Sequence, residues 1–258
     1  MPRFAANLSF LYTEWPFLER FAAAAEDGFE AVEFLFPYDF DAQVLASALR
    51  ECGLEPALFN LPAGNWAEGE RGLAALPGRE GEFEAGLELA LEYALSLGCR
   101  RLHAMAGIAD AADEFAQATY LANLKRAARR LAPHGIELMI EPINQRDMPG
   151  YFLRTQAQAV AVIETVAEPN LRLQMDFYHC QISEGDLLAK LAGNFDCLGH
   201  VQIAGVPLRH EPDQGEVNFA AIFPALDALG YAGWIGCEYR PKAGTREGLG
   251  WLRAARLK

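Results

Sequence analysis

Apolar and polar residues follow two different rhythms along the chain, and a glycine repeatedly marks the switch between them. An amphipathic stretch runs into the glycine and a β-rich apolar segment follows at once, in D-Gly28-FEAVEF, C-Gly53-LEPALF, L-Gly98-CRRLHA, H-Gly135-IELMIE and L-Gly230-YAGWIGCEY. A glycine just past a helix accepts the left-handed backbone that ends it, so each instance predicts helix, stop, strand. Phe83, Leu87, Ala90, Ala94 and Leu97 recur every three or four residues and predict a helix packed on a sheet. The same spacing runs less regularly through Trp15, Leu18, Phe21 and Ala25, through Leu124, Ala127 and Leu131, and through Ile222, Leu226 and Leu229.

With the less punctuated units added, strands are predicted near 3–9, 30–36, 54–60, 100–106, 136–142, 171–176, 198–204 and 234–239, each followed by a helix. Strands that alternate with helices pair in parallel, and eight of them in 258 residues favour a closed barrel over an open doubly wound sheet. No glycine-rich dinucleotide fingerprint follows the first strand. The expectation is an α/β protein: a single (β/α)8 TIM barrel over residues 1–258, with its active site at the C-terminal strand ends. No Pro/Ser-rich linker divides the chain. Two long loops, 61–78 and 205–217, fall on the C-terminal side of their strands, where barrel enzymes keep their chemistry, and 61–78 is a candidate lid.

Composition narrows the function. Hydrophobic residues make up 52% and charged residues 22%, the balance of a soluble globular protein. The start of the chain does not resemble a secretion signal and no apolar run is long enough to span a bilayer, so the expected location is cytoplasmic with no membrane partner. The net charge of −13 works against binding a polyanion, so a small-molecule substrate is expected and nucleic acid is not. Five cysteines are scattered singly, without a disulfide framework or thiolate zinc motif. Cys180 has no evident activating base. A homo-oligomer is left open.

Strands of a parallel barrel should be nearly all apolar, so ionisable residues at their C-terminal ends need a reason. Four successive strands have a polar one: Glu141 in IELMIEPIN, Asp176 in LRLQMDFYH, Gln202 in HVQIAG and Glu238 in GWIGCEYRP. Each alone is readily a strand-end residue satisfied by a cap or an arginine. Together they would meet on one rim, and three carboxylates there repel unless a cation sits among them. The donors are all hard oxygens, counting the Gln202 amide, which suits Mg2+ or Mn2+. His179, three residues after Asp176, is a candidate donor to a substrate oxygen. His103 would face either the barrel interior or the helical layer. Arg209, His210 and Glu211 in the 205–217 loop, and Lys242 after the last strand, include cations suited to an anionic substrate.

The segments PRFAANLSFLYTEWPFLERF, AVEFLFPYDF, LPGRE, IEPINQRDMPGYFL, QMDFYHCQ, HVQIAGVPLRHEPDQGEVNF and GYAGWIGCEYRP, in this order along nearly the whole chain, resemble the hydroxypyruvate isomerases of the xylose-isomerase-like barrel superfamily. The resemblance implies that Glu141 and Glu238 are the two catalytic, metal-binding glutamates, with Asp176 and Gln202 as the remaining ligands. His179 and Arg209 are similar in place to substrate-contacting residues of related sugar epimerases, and Asp147 is a further, weaker candidate.

The implied activity is an aldose–ketose isomerisation of a hydroxy/oxo acid, hydroxypyruvate to tartronate semialdehyde, in carbohydrate-acid and glyoxylate metabolism. One glutamate would remove a proton and the other return it, in an order that the sequence leaves open, with the substrate carboxylate on Arg209, Lys242 or a loop histidine. A two-metal hydride shift is the competing chemistry, but only one set of four ligands is visible. A 2-oxo-tetronate isomerase and a ketose 3-epimerase share this site pattern. An apurinic endonuclease would want more histidines and a basic groove, and a non-catalytic sugar-binding protein would leave the paired glutamates without a purpose.

Overall fold

The computed structural model describes residues 2–256; Met1, Leu257 and Lys258 of the expected domain lie outside them. Eight strands close into a barrel in chain order: β1 (Arg3–Asn7), β2 (Ala31–Phe34), β3 (Glu55–Asn60), β4 (Arg101–His103), β5 (Glu137–Ile140), β6 (Leu171–Asp176), β7 (Leu198–Ile203) and β8 (Trp234–Cys237). All pairings are parallel, and β8 returns to β1 through Ala5 opposite Gly236. The main connecting helices are α1 (Glu19–Glu26), α2 (Ala42–Cys52), α3 (Glu80–Leu97), α4 (Glu114–Leu131) and α5 (Gln156–Val166). They continue as α6 (Phe177–Ser183), α7 (Leu187–Gly193), α8 (Phe219–Ala228), α9 (Thr245–Gly248) and α10 (Gly250–Arg256).

The five glycines read as helix stops all have φ between 65° and 85°, which is why the switch from helix to strand was visible in the sequence. In α3 the predicted stripe of Phe83, Leu87, Ala90, Ala94 and Leu97 is buried, and each large member contributes about 1.5–3 kcal/mol by leaving water. The first predicted helix is shorter than its stripe. Trp15 and Leu18 precede α1, because Pro16 has no N–H to donate and its ring disfavours a helical residue before it. After β6 and after β8 the expected single helix is divided in two.

Several strands also end earlier than predicted. β5 stops at Ile140, because Pro142 cannot donate to the ladder, and Glu141 therefore sits just beyond the last paired residue. β8 stops at Cys237, one residue before Glu238, and the Arg240 amide bonds the Arg209 carbonyl in the loop after β7. β4 is three residues long; past it the chain bridges to Gly72 at Ala106.

Alternate residues of a barrel strand point inwards. At the floor Ala5, Ala31, Ala57 and Trp234 form a small apolar cluster of their own, with Arg3 stacked 3.7 Å from the Trp234 ring centre. Above it the expected apolar filling gives way to Asn7, Glu33, His103, Gln174 and His200, all buried. Gly236 makes room for this layer: a β-carbon there would lie 2.3 Å from Glu33 Oε1. Gly236→Ala should therefore cost about 1–3 kcal/mol, read as a lower urea midpoint. An unchanged midpoint would show that Glu33 is free to move aside.

Candidate active site

Asn7, on β1, starts the chain of contacts that sets the site. Its side-chain amide donates to Glu33 Oε1 at 3.0 Å and to Glu238 Oε2 at 2.9 Å. Gln202, on β7, donates to the same two carboxylates at 2.8 and 2.6 Å, and its amide oxygen accepts from Gln174 at 2.7 Å. Glu33 completes its set with His200 Nε2 at 2.7 Å. A buried layer of polar groups thus holds Glu238 from below.

The four strand-end residues do converge and are buried, Glu141 at 5%, Asp176 at 1%, Gln202 at 1% and Glu238 at 7% exposure. Oxygens of Glu141 and Asp176 and a ring nitrogen of His179 lie within 4.8 Å of one another, a grouping able to hold a metal ion. Gln202 is the exception to the expected oxygen set. With its oxygen facing Gln174 and its amide nitrogen facing the carboxylates, it is placed as a donor to Glu238.

Arg209 is drawn into the carboxylates. Its Nη2 lies 3.3 Å from Asp176 Oδ2 and bonds Glu238 Oε1, while the guanidinium stacks 4.9 Å from Phe10 and 4.8 Å from Tyr178. The residue adopts φ 58°, which costs a side chain about 1–2 kcal/mol, offset here by two charge-assisted bonds.

Burial dominates the electrostatics. It pushes Glu238 up to about 8, with Arg209 opposing and Asp176 adding to the rise. Asp176 is raised to about 6 by burial against the pull of Arg209. Glu141 is raised well above the ordinary carboxylate range by burial and then by Glu238 and Asp176; its Oε1 is buried without a partner. A buried polar atom without a partner asks for a ligand.

The two histidines are settled by their neighbours. Main-chain and side-chain N–H groups of Asn144 both point at His179 Nδ1, at 3.4 and 2.6 Å, so Nδ1 accepts and the proton sits on Nε2. Burial lowers the His179 pKa, which keeps the ring a neutral donor, with Nε2 3.6 Å from Asp176. His103 faces the interior, 3.8 Å from Glu141. Its Nδ1 lies 3.2 Å from Asn60 Oδ1, so Nδ1 donates there and Nε2, buried without a partner, is an acceptor. Burial takes its pKa down to about 3.

A cavity of about 510 Å3 opens over these groups, lined by Glu141, Glu238, His103, His179, Arg209 and Asp147 among others. Burial works against ionisation of Asp147, but bonds from Tyr178 and Asn144 outweigh it and hold its pKa low. Both long loops reach the mouth, with Trp66 and Arg71 from the first and Leu208 from the second. Lys242, offered as a carboxylate holder, is exposed and not among the lining residues; its main-chain N–H bonds the buried Glu211 instead. Cys180 is buried and its thiol is pushed up to about 12 by desolvation, so it carries no thiolate at neutral pH.

Sequence reading overlooked Asn7, Glu33, Asn60, Gln174, His200 and Arg71. Strand periodicity could have found two of them, since Gln174 and His200 stand two residues before Asp176 and Gln202 and so share their inward face. Glu33 was an unexplained acid in the predicted strand AVEF.

Residues 21–255 match the family described as xylose isomerase-like TIM barrel. The chain is 58% identical to a 2-oxo-tetronate isomerase of Cupriavidus necator over 98% of each chain. It is 45% identical to a hydroxypyruvate isomerase of Escherichia coli, again over 98% of both. A crystal structure described as an AP endonuclease, family 2, from Brucella melitensis superposes with a TM-score of 0.97 at 52% identity, covering 98% of this chain and 99% of that one. No helix among the described residues is long and apolar enough to cross a membrane. With its fold, its ring of strand-end carboxylates and these full-length matches, the chain belongs to the xylose isomerase-like TIM barrel family.

Proposed function

We propose that this protein is an isomerase that moves the carbonyl of a short hydroxy/oxo acid to the neighbouring carbon, the chemistry that aldose–ketose isomerases use. Its substrate pair is hydroxypyruvate with tartronate semialdehyde, or 2-oxo-tetronate with its 3-oxo isomer. The observation that carries this reading is the pair of buried carboxylates, Glu141 and Glu238, that face one cavity with their pKa values raised. A carboxylate taken out of water is a stronger base, and its raised pKa also lets it return the proton near neutral pH. The 2-oxo-tetronate reading is favoured by the 58% identity to the Cupriavidus protein; the cavity of about 510 Å3 admits either acid.

The residues divide the work. One glutamate takes a proton from the carbon beside the carbonyl and the other delivers one to the neighbouring carbon, through an enediolate. His179 Nε2–H donates to a substrate oxygen, and His103 Nε2 accepts from a hydroxyl. Asn7 and Gln202 both donate to Glu238 Oε2 and keep the carboxylate aimed. The donor set fits a divalent ion, because three buried carboxylates with raised pKa values and an unpartnered Glu141 oxygen call for positive charge. Glu141, Asp176 and Glu238 would hold Mg2+ or Mn2+, which supplies Lewis-acid polarisation of the carbonyl when bound. An endonuclease reading, which the description of the Brucella structure invites, fits less well with a net charge of −13.

Glu141→Gln and Glu238→Gln should each remain folded and lose at least about a hundredfold in kcat, measured with both acids as substrates. Retention of most of the rate by either variant would remove that glutamate from proton transfer.

Thermal melts across pH test the cation site. Glu238 is raised to about 8, so its contribution to stability is fully present below its unfolded value of about 4.3 and is lost as pH rises through 8. Metal-free wild type should therefore lose stability relative to Glu238→Gln between pH 5 and about 8. Mn2+ should raise the wild-type midpoint more at the upper end of that window, where it no longer competes with protons. An equal Mn2+ shift at both ends would count against the carboxylates as its ligands. Alkylation with iodoacetamide at neutral pH should leave native Cys180 unmodified by mass spectrometry and activity intact; rapid labelling of Cys180 with loss of rate would reopen a thiol mechanism.

A further inference from the structure

An acid substrate has to enter a cavity already lined by Glu141, Asp147 and Glu238. Its own carboxylate therefore needs a cation whose charge is not spent elsewhere. Three arginines line that cavity: Arg71, Arg209 and Arg240. Arg209 is engaged with Glu238 and Asp176. Arg240 is exposed, and its main chain bonds the Arg209 carbonyl and the His210 ring.

Arg71 is different. It is half-buried on the loop after β3, and its guanidinium lies 4.1 Å from the centre of the Trp66 ring. Nη1 donates to the main-chain carbonyls of Trp66 at 3.0 Å and Glu70 at 2.7 Å. All of these partners are neutral, and no carboxylate among the described residues pairs with Arg71. The adjacent acid is occupied: Glu70 is held by Arg79 at 2.7 and 3.3 Å and by the Asn65 amide at 2.5 Å. The next residue fixes the backbone. Gly72 adopts φ 120° and bridges to Ala106 beyond β4, so close that a β-carbon would lie 2.3 Å from the Met105 carbonyl oxygen. Arg71 is therefore a pre-positioned guanidinium whose Nε and Nη2 edge is without a partner among the described residues, and that edge matches the two oxygens of a carboxylate.

We propose that Arg71 is the specificity-determining residue that binds the substrate's carboxylate, and that it makes the enzyme select short hydroxy/oxo acids over neutral ketoses. This rests on the isomerase reading above. The ring of Trp66 flattens and orients the guanidinium, the two carbonyls hold one nitrogen, and the opposite edge takes the acid. The carboxylate needs of substrate and protein are then met by separate arginines, Arg71 for the substrate and Arg209 for Glu238 and Asp176.

Steady-state kinetics of Arg71→Gln and Arg71→Lys on hydroxypyruvate and 2-oxo-tetronate test it, with circular-dichroism melts confirming that both variants fold. Arg71→Gln should raise KM for the acids by about ten- to a hundredfold with kcat changed by less than about threefold, and Arg71→Lys should recover part of the loss. Wild-type KM should rise with ionic strength and that of Arg71→Gln much less. An unchanged KM in folded Arg71→Gln, or a fall in kcat alone, would overturn the role of Arg71 while leaving the isomerase reading standing. Wild-type enzyme that turns over neutral ketoses and neither acid would overturn both.

Discussion

Burying like charges together is the constraint on which the site depends. Glu33, Glu141, Asp176 and Glu238 all lie inside a closed barrel, where each ionised carboxylate loses hydration and repels the others. The surrounding structure is arranged around that cost. Asn7 and Gln202 divide their amide N–H groups between Glu33 and Glu238, His200 answers Glu33, and Arg209 spans Asp176 and Glu238. Glu141 Oε1 is left buried without a partner, and in the proposed reaction that gap is the place where a cation or a substrate proton arrives.

The histidines show how the same scaffold fixes hydrogen-bond direction without charge. Asn144 presents donors to one and Asn60 an acceptor to the other, so the two rings offer the cavity opposite polarity while both stay neutral. That pair is what the proposed reaction requires, a donor for one enediolate oxygen and an acceptor for a hydroxyl. The asymmetry comes from two asparagines, Asn144 and Asn60, each bonded to the Nδ1 nitrogen of its ring.

The fold was legible because its signals are local. The five glycines that follow helices and the buried stripe in α3 are properties of a few neighbouring residues, and the eightfold alternation then leaves few architectures. The convergence of Glu141, Asp176, Gln202 and Glu238 was legible because a parallel barrel sends all C-terminal strand ends to one rim. What stayed hidden depends on orientation or on distance along the chain. The sequence names Gln202, but only Gln174 and Glu33 decide which end of its amide faces Glu238. Lys242 and Arg71 look alike as loop cations; one is exposed away from the cavity and the other is stacked on Trp66 at its wall. The short β5 and late α1 were foreshadowed by Pro142 and Pro16, whose missing amides override the apolar pattern around them.

The two long loops and the strand ends contribute different things to the cavity. The carboxylates come from or directly after strands locked into a closed ladder, whereas Trp66, Arg71 and Leu208 come from loops that cross its mouth. Insertions and substitutions accumulate more easily in loops than in barrel strands. Such a division lets a lineage change which acid it consumes by exchanging a loop while inheriting its proton-handling apparatus intact. It gives a material basis for relatives of one barrel bearing the names of a three-carbon and a four-carbon substrate.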